Sequence, residues 1–193
     1  MKKWLIPIIV VIVAGFALMT SYNGLVKAEE EIDSVWANVE SSYQRRADLI
    51  PNLVNTVKGQ ADFEQETLTK VIEARSKATQ VKIDPTNITE EQLTKFQQSQ
   101  NEVGSALSRL LVTVEQYPAL KANEGFMNLQ VQLEGTENRI NVARNRFNDA
   151  AKIYNQKVRQ FPTKLVATIF GFKEKPYFKS VEGSQNAPTV SFN

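Results

Sequence analysis

The sequence predicts an all-α protein in which a single N-terminal transmembrane helix is followed by a long, left-handed antiparallel bundle of four helices. An uncharged apolar run extends from Trp4 to Met19. Three later segments repeat apolar residues at alternating spacings of three and four, which is the heptad pattern of packed helices. No segment of useful length alternates apolar and polar residues as a half-buried strand does. Because heptad stripes leave water only by packing against one another, the pattern predicts an antiparallel bundle.

The first predicted element is a transmembrane anchor at residues 1–23. About 20 residues at a rise of about 1.5 Å each match the roughly 30 Å hydrocarbon core of a bilayer. Lys2 and Lys3 precede the apolar run, whereas acidic residues dominate after it, which predicts a cytoplasmic N-terminus and an extracytoplasmic bundle in the cell membrane. The alternative is a signal peptide cleaved after Ala28. The length of the apolar run and the position of Lys27 favour a retained anchor.

The helical bundle is predicted over residues 24–162, and its first helix continues from the anchor and ends at Gly59. The heptad stripe of this helix consists of Ile32, Trp36, Val39, Tyr43, Arg46, Ile50, Leu53 and Val57. Asp62 and Gln65 resemble a capping pair that starts a shorter second helix, which fades near Gln80. The apolar residues of the second helix are Phe63, Leu68, Val71 and Ile72.

Two further helices follow a turn predicted at residues 84–85. Thr89 and Gln92 have the spacing of a capping box that starts the third helix. Its stripe consists of Leu93, Phe96, Gln100, Val103, Leu107, Leu110, Val114 and Tyr117. Pro118 interrupts the chain, and Asn123 caps the last long helix. The stripe of that helix consists of Phe126, Leu129, Leu133, Thr136, Ile140, Ala143, Phe147, Ala150, Tyr154 and Phe161.

Two residues of the first helix break its apolar pattern. Pro51 removes the hydrogen bond to the carbonyl of Ala47, at a cost of up to about 3 kcal/mol unless a neighbour compensates. Because the heptad phase continues beyond it, we expect a kink, which is either a bend around the bundle, a functional hinge or a site with an exposed carbonyl. Arg46 occupies a stripe position. If it is buried it needs a carboxylate, Glu134 or Glu137, and fixes the register of the bundle; alternatively its stem snorkels to the edge.

A short amphipathic segment, residues 163–181, combines aromatic and basic side chains. Its candidate contact residues are Lys164, Phe170, Phe172, Lys173, Lys175, Tyr177 and Phe178. This composition suits a membrane interface or the groove of a partner protein, whereas the alternative is that the segment docks back along the bundle. We expect deletion of the residues after Phe161 to weaken an interaction rather than unfold the bundle. Residues 182–193 are polar and are predicted to be a disordered tail.

The composition argues against most catalytic chemistry. The 193 residues include no histidine and no cysteine, which excludes disulfides, thiolate nucleophiles, Ser/His/Asp triads and the Glu-x-x-His metal sites of helical bundles. The net charge of +2 provides no concentrated basic face for nucleic acid. Carboxylates alone can bind magnesium or calcium, but here they are scattered as on solvated helix faces. We therefore predict no catalytic, cofactor-binding or metal-binding residue, no cofactor and no nucleic-acid partner.

Several motifs, in the same order along the chain, resemble those of the LemA family. They occupy residues 22–26, 45–54, 115–123, 133–140 and 154–162. The resemblance covers nearly the whole chain from Met1 to Phe178, and it implies a transmembrane helix and a long antiparallel bundle without supplying an activity. It also implies a TPM-domain protein or a membrane metalloprotease as a partner, and one branch of the family contributes to magnetosome membranes. This chain has Phe63 where we expect a histidine before Glu64, so a role for that histidine does not apply here.

Three functions follow as hypotheses from these features. The first is a non-enzymatic, membrane-anchored scaffold that binds a protein partner in the envelope, with homo-oligomerisation left open. The second is membrane remodelling or tethering, in which the anchor and residues 164–179 both contact lipid. The third is an enzyme or metal protein that uses carboxylates.

Overall fold

The computed structural model describes residues 5–59 and 63–179. Within these ranges the chain forms six α-helices, one 3-10 turn and no strand, which confirms the predicted all-α class. The helices are α1 (Leu5–Lys58), α2 (Gln65–Gln80), α3 (Glu90–Val114), α4 (Pro118–Lys121), α5 (Glu124–Arg159) and α6 (Thr163–Phe170), and the 3-10 turn is Pro85–Asn87. Lys2, Lys3 and the predicted tail at residues 182–193 lie outside the described ranges.

Helix α1 is one uninterrupted element that contains both the apolar run and the first heptad stripe. Its 54 residues correspond to a length of about 81 Å. Among the described helices, α1 alone is long and apolar enough to cross a membrane. Its apolar N-terminal side chains, such as Val11 and Phe16, are left uncovered by the rest of the protein. The half of α1 beyond Gly24 lies instead in the core of the bundle.

The helix pairs establish the topology. Arg46 of α1 contacts Glu137 of α5, and Trp36 contacts Phe147, so the two helices run antiparallel. Helix α3 runs in the same direction as α1, because Trp36 contacts Phe96 and Arg46 contacts residue 100. Helix α2 packs on α3 and α1 and closes the four-helix arrangement, while α6 packs on α1 and α5.

The predicted stripes form the core. All eight stripe residues of α1 are buried, as are seven of the eight in the third predicted helix. The core has two apolar clusters, one around Trp36 and Phe147 near the apolar end of α1, and one around Leu53 and Leu110 at the far end. Arg46 lies between these clusters, so a polar layer divides the core.

Local signals placed the helix ends correctly at several points. Thr89 and Gln92 form the predicted capping box at the start of α3. The side chain of Asn123 accepts a hydrogen bond from the backbone of Phe126 and caps α5. Helix α1 ends immediately before Gly59, which lies in a turn. These ends depend on backbone groups a few residues away, and short sequence motifs capture them for that reason.

Three details of the prediction were wrong. Ile72 is 44% exposed, because the buried face of α2 follows Leu68, Val71, Ala74 and Ala78 instead. Phe161 is 81% exposed, because α5 ends at Arg159 and the chain turns before that ring can continue the stripe. The residue at the N-cap of α2 is Glu64, without a side-chain capping bond, whereas the predicted cap Asp62 lies outside the described residues.

Candidate functional site

The polar layer in the middle of the bundle is built around Arg46. Its side chain is only 4% exposed, and its Nη1 lies 2.9 Å from the Oε1 of Glu137. Its Nη2 donates to the side-chain oxygen of Gln100 at 2.6 Å and to the backbone carbonyl of the same residue at 3.0 Å. The guanidinium also lies over the ring of Tyr43, 5.1 Å from its centre. Of the two expected carboxylates, Glu137 is therefore the one that pairs with Arg46.

This arrangement ties three helices together at one level. Glu137 is 46% exposed, so loss of this charged hydrogen bond costs about 1.5–3 kcal/mol, and the pairing favours a single register of α1 against α5. Burial also raises the pKa of Tyr43, an effect that the neighbouring Arg144 and Arg46 partly oppose. The polar groups of the layer are hydrogen-bonded to one another. The layer therefore has a structural role rather than a catalytic one.

A neighbouring helix compensates for Pro51 in α1. Pro51 has no N–H to offer the carbonyl of Ala47, and the Nε of Arg75 in α2 donates to that oxygen at 2.6 Å. Helix α1 continues through Pro51 without a break. The alternative of an exposed carbonyl at this position was wrong, because a charged donor from α2 occupies it.

A groove lies beside these two features, between α1, α2 and α3. It has a volume of about 540 Å³, and its lining includes Ser41, Arg46, Arg75, Thr79 and Phe96. Both arginines already have acceptors in the protein. The groove therefore presents a mixed polar and aromatic surface, which suits contact with another protein better than it suits catalysis.

The second candidate region follows α6. Residues 171–179, here called the C-terminal strap, run back along the bundle without helical structure. Two asparagines of α5 hold the strap by its backbone. Asn155 accepts from the N–H of Lys175 at 2.8 Å and donates to its carbonyl at 2.8 Å. Asn148 makes the same pair of bonds with Phe178, at 2.8 Å and 3.0 Å. Since the asparagines are seven residues apart, they lie on one face of α5.

The side chains of the strap enter the core. Lys175 is 5% exposed, and its Nζ lies 2.9 Å from the Oε1 of Glu29 and donates to the carbonyl of Thr86. The ring of Phe178 stacks on Trp36 at 6.1 Å and meets the edge of Phe147 at 5.4 Å. The prediction that Lys175 and Phe178 contact a membrane or a partner was wrong, because both side chains are buried in the bundle.

Two ionisable groups near the strap have a pKa above the ordinary value. Burial raises the pKa of Asp33, although the positive charge of Lys175 opposes this effect. Burial and the nearby carboxylate of Glu29 raise the pKa of Tyr154. Within residues 5–59 and 63–179, no three acidic side chains come close enough together to hold a metal ion. The charged pair at this end is the ion pair between Lys175 of the strap, which is buried, and Glu29, which is 23% exposed.

The other predicted contact residues remain at the surface around α6. Lys164, Phe170, Lys173 and Tyr177 are exposed, and Phe172 is half-buried. The rings of Phe170 and Phe172 lie 4.8 Å and 5.8 Å from that of Tyr22 in α1. The structure therefore divides the amphipathic segment: α6 exposes one face beside the apolar end of α1, and the strap buries Lys175 and Phe178 in the bundle.

Sequence reasoning missed Arg75, Asn148 and Asn155 as individual residues. The two asparagines carry a usable signal, because amides seven residues apart beside a heptad stripe can bind an extended backbone. Arg75 lacks such a signal. Its acceptor is the carbonyl of Ala47 in another helix, which is free only because Pro51 has no N–H.

Comparison with known proteins gives the family relationship. The sequence model of the LemA family matches residues 35–192. The chain is 28% identical over 179 residues to magnetosome protein MamQ 1 of Paramagnetospirillum magneticum, covering 84% of this chain and 66% of that protein. It is 29% identical over 178 residues to MamQ of Magnetospirillum gryphiswaldense, with coverage of 83% and 65%. It is 26% identical over 152 residues to protein LemA of Metamycoplasma hominis, with coverage of 79% and 66%. The chain thus spans slightly less than two thirds of the length of these relatives.

Proposed function

This chain belongs to the LemA family, and from that premise we propose that it is a non-enzymatic, single-pass membrane protein that acts as an interaction scaffold in the cell envelope. The observation that carries the proposal is the continuity of α1 from its apolar end into the core of the bundle. A retained anchor of this kind holds the bundle without a flexible linker. The short N-terminus is cytoplasmic and the bundle extracytoplasmic, as the flanking charges favour.

Hydrogen bonds between the helices support a scaffold. Arg46 bonds to residues of α3 and α5, and Arg75 of α2 donates to the carbonyl that Pro51 frees. A surface held in one conformation loses little conformational entropy when a partner binds. The groove between α1, α2 and α3 is the candidate contact surface, and an envelope protein, such as a TPM-domain protein or a membrane metalloprotease, is the candidate partner. A second copy of the chain is the alternative occupant.

In-cell photo-crosslinking of the full-length protein tests this proposal. A photoreactive amino acid is placed at Ser41 or Thr79, which are exposed in the groove, and at Asn145, an exposed position on α5. We expect discrete adducts from the two groove positions and none of the same size from Asn145. Identical smears from all three positions, or no protein adduct from any of them, would remove the groove as a binding surface.

The side of the membrane is tested separately, because the chain contains no cysteine. The variant Asn145→Cys carries one thiol on an exposed part of α5. We expect an impermeant maleimide to label it in intact cells, on a species of full-length size in the membrane fraction. Labelling only after lysis would place the bundle in the cytoplasm, and a shortened labelled species would show that the anchor is cleaved.

A second candidate function is membrane remodelling or tethering through the C-terminal segment. The similarity to proteins named as magnetosome proteins favours it, as do the uncovered aromatic side chains around α6. Full-length protein reconstituted into anionic vesicles at increasing density tests it. Clustered or tubular vesicles in electron cryomicrographs support this function, and unchanged spherical vesicles at high protein density remove it.

A further inference from the structure

We infer that Phe161 and α6 form an interfacial foot, which inserts into the same leaflet of the bilayer in which the apolar part of α1 ends. The foot is defined by the side chains of Phe161, Leu165, Ile169 and Phe170. This inference rests on the retained anchor in the proposed function. It assigns a lipid site to the C-terminal segment, and it holds with or without a role as a scaffold.

The position of α6 relative to the anchor is the first argument. The ring of Phe170 lies 4.8 Å from that of Tyr22. Counted along α1, Tyr22 lies about 24 Å from Ile6, which is close to the roughly 30 Å thickness of the hydrocarbon core. Tyrosine is enriched at the boundary between lipid and water. If α1 spans the bilayer, α6 therefore lies at the level of the membrane interface.

The exposure of the foot is the second argument. Its side chains are strongly exposed, at 81% for Phe161, 72% for Ile169, 61% for Phe170 and 52% for Leu165. Leu165 and Ile169 are four residues apart, so they lie on one face of α6, and Phe161 lies in the turn that precedes the helix. The opposite side of α6 is buried, since Val166 and Ala167 pack into the apolar cluster around Trp36. The helix thus packs one face on the bundle and exposes Leu165 and Ile169 on the other, while Phe170 stays largely exposed beside Tyr22.

Continuity with the anchor identifies the occupant as lipid. Leu18 and Met19, on the adjacent part of α1, are exposed as well, so the apolar surface passes from the anchor to the foot. Lys164 and Lys173 lie exposed at the two ends of α6, where they can reach lipid phosphates. An amphipathic helix with this arrangement lies in the plane of the interface.

A second contact with the membrane would fix the orientation of the bundle. One helix that crosses the bilayer leaves rotation about its own axis free, whereas an adjacent foot on one side restricts that rotation. The strap holds the foot firmly, because Asn155 binds the backbone of Lys175 four residues beyond Gly171. The bundle would therefore present the same side to the membrane in every copy.

Depth measurements on the full-length protein in single-copy nanodiscs test the inference. Nanodiscs are prepared from phosphatidylcholine, with and without phosphatidylglycerol. A spin label is attached to one cysteine at a time in the variants Ile169→Cys, Phe16→Cys and Asn145→Cys. Phe16 lies in the anchor, and Asn145 lies near Phe147, which contacts Trp36 about 21 Å past Tyr22 along α1. We expect the ratio of oxygen to aqueous nickel accessibility at position 169 to exceed that at position 145 several-fold.

Each outcome bears on a different statement. Equal ratios at positions 169 and 145, with a high ratio at position 16, would overturn the foot and leave the anchor intact. A label at position 169 shielded from both reagents would mean that protein rather than lipid covers α6, and it would also overturn the inference. A low ratio at position 16 would show that the anchor itself is not in the bilayer, so the proposed function would fail with it. As a second measurement, we expect spin-labelled lipids to quench a fluorophore attached at position 169. A high ratio without this quenching would also overturn the inference.

Discussion

Replacement of Asn155 by alanine removes the main attachment of the C-terminal strap. This side chain is fully buried and makes three hydrogen bonds, two with the backbone of Lys175 and one with the hydroxyl of Tyr177. The variant leaves a backbone N–H and a carbonyl without partners at a buried position. Each unpaired buried group costs about 1–3 kcal/mol. Allowing for partial access of water after the strap loosens, we expect Asn155→Ala to lower the free energy of unfolding by about 2–4 kcal/mol.

Denaturant unfolding of the full-length protein in detergent micelles, followed by circular dichroism, measures this change. Asn145→Ala is the matched control, because Asn145 is an exposed asparagine on the same helix, and we expect it to change stability by less than about 0.5 kcal/mol. Asn155→Ala should also lose most of its effect in a chain that ends after Phe172, since the groups it binds are then absent. Equal stability of the two single variants would refute the role of Asn155. An undiminished cost in the shortened chain would show that it acts elsewhere.

The contacts of the strap also change the result expected for deletion of the residues after Phe161. Deletion after Phe161 was expected to leave the bundle stable. The structure places Phe178 against Trp36 and Phe147, and burial of one such aromatic ring contributes about 1.5–3 kcal/mol. The strap also supplies Lys175, whose removal leaves the carboxylate of Glu29 without its ion pair. Deletion therefore has to lower the stability of the bundle as well as remove α6.

Three further predictions concern the interior of the bundle. Glu137→Ala should lower the free energy of unfolding by about 1.5–3 kcal/mol in denaturant, because it removes a charged partner of Arg46. Glu137→Gln should recover part of this loss. Equal stability of the original protein and the two variants would contradict the pairing. Arg75→Met should lower the free energy of unfolding by about 1–3 kcal/mol. The loss should be clearly smaller in a Pro51→Ala background, where the backbone N–H of residue 51 can donate to the carbonyl of Ala47. Identical losses in the two backgrounds would argue against that compensation. Burial raises the pKa of Asp33 in the folded state, so its ionisation opposes folding once the pH rises above the ordinary range of a carboxyl group. Asp33→Asn should therefore raise the melting temperature at pH 7 more than at pH 3, and a larger gain at pH 3 would contradict the sign.

The candidate interaction residues differ in how far the sequence predicted them. Arg46 stood out because a cation in a heptad stripe needs a carboxylate, and the two candidates, Glu134 and Glu137, were each within reach on α5. Pro51 stood out because its missing N–H leaves one specific carbonyl unpaired. Neither argument identified Arg75, since nothing in the local pattern of α2 reveals which carbonyl faces it.

The buried residues of the strap were predicted incorrectly for a physical reason. Lys175 and Phe178 follow no helical or strand periodicity, and aromatic rings interleaved with lysines suit a lipid interface as well as a protein groove. Lys175 is separated from Glu29 by 146 positions, and Phe178 is nearly as far in sequence from Trp36. The alternative, in which the segment docks back along the bundle, holds for the strap. Only the positions of Asn148 and Asn155 on one face of α5 distinguish it from contact with lipid or a partner.

The sequence by itself determined the helices, their caps and the faces that meet in the core, because these depend on periodicity and on backbone groups a few residues away. It also indicated the apolar end of α1 and the family to which the chain belongs. Only the tertiary structure decided that the segment after α5 is divided between α6, which exposes one face, and a strap that buries Lys175 and Phe178. That division depends on which hydrogen-bonding groups and apolar surfaces remain free once four helices have packed. Those free groups come from residues far apart in the chain, so no local pattern contains them.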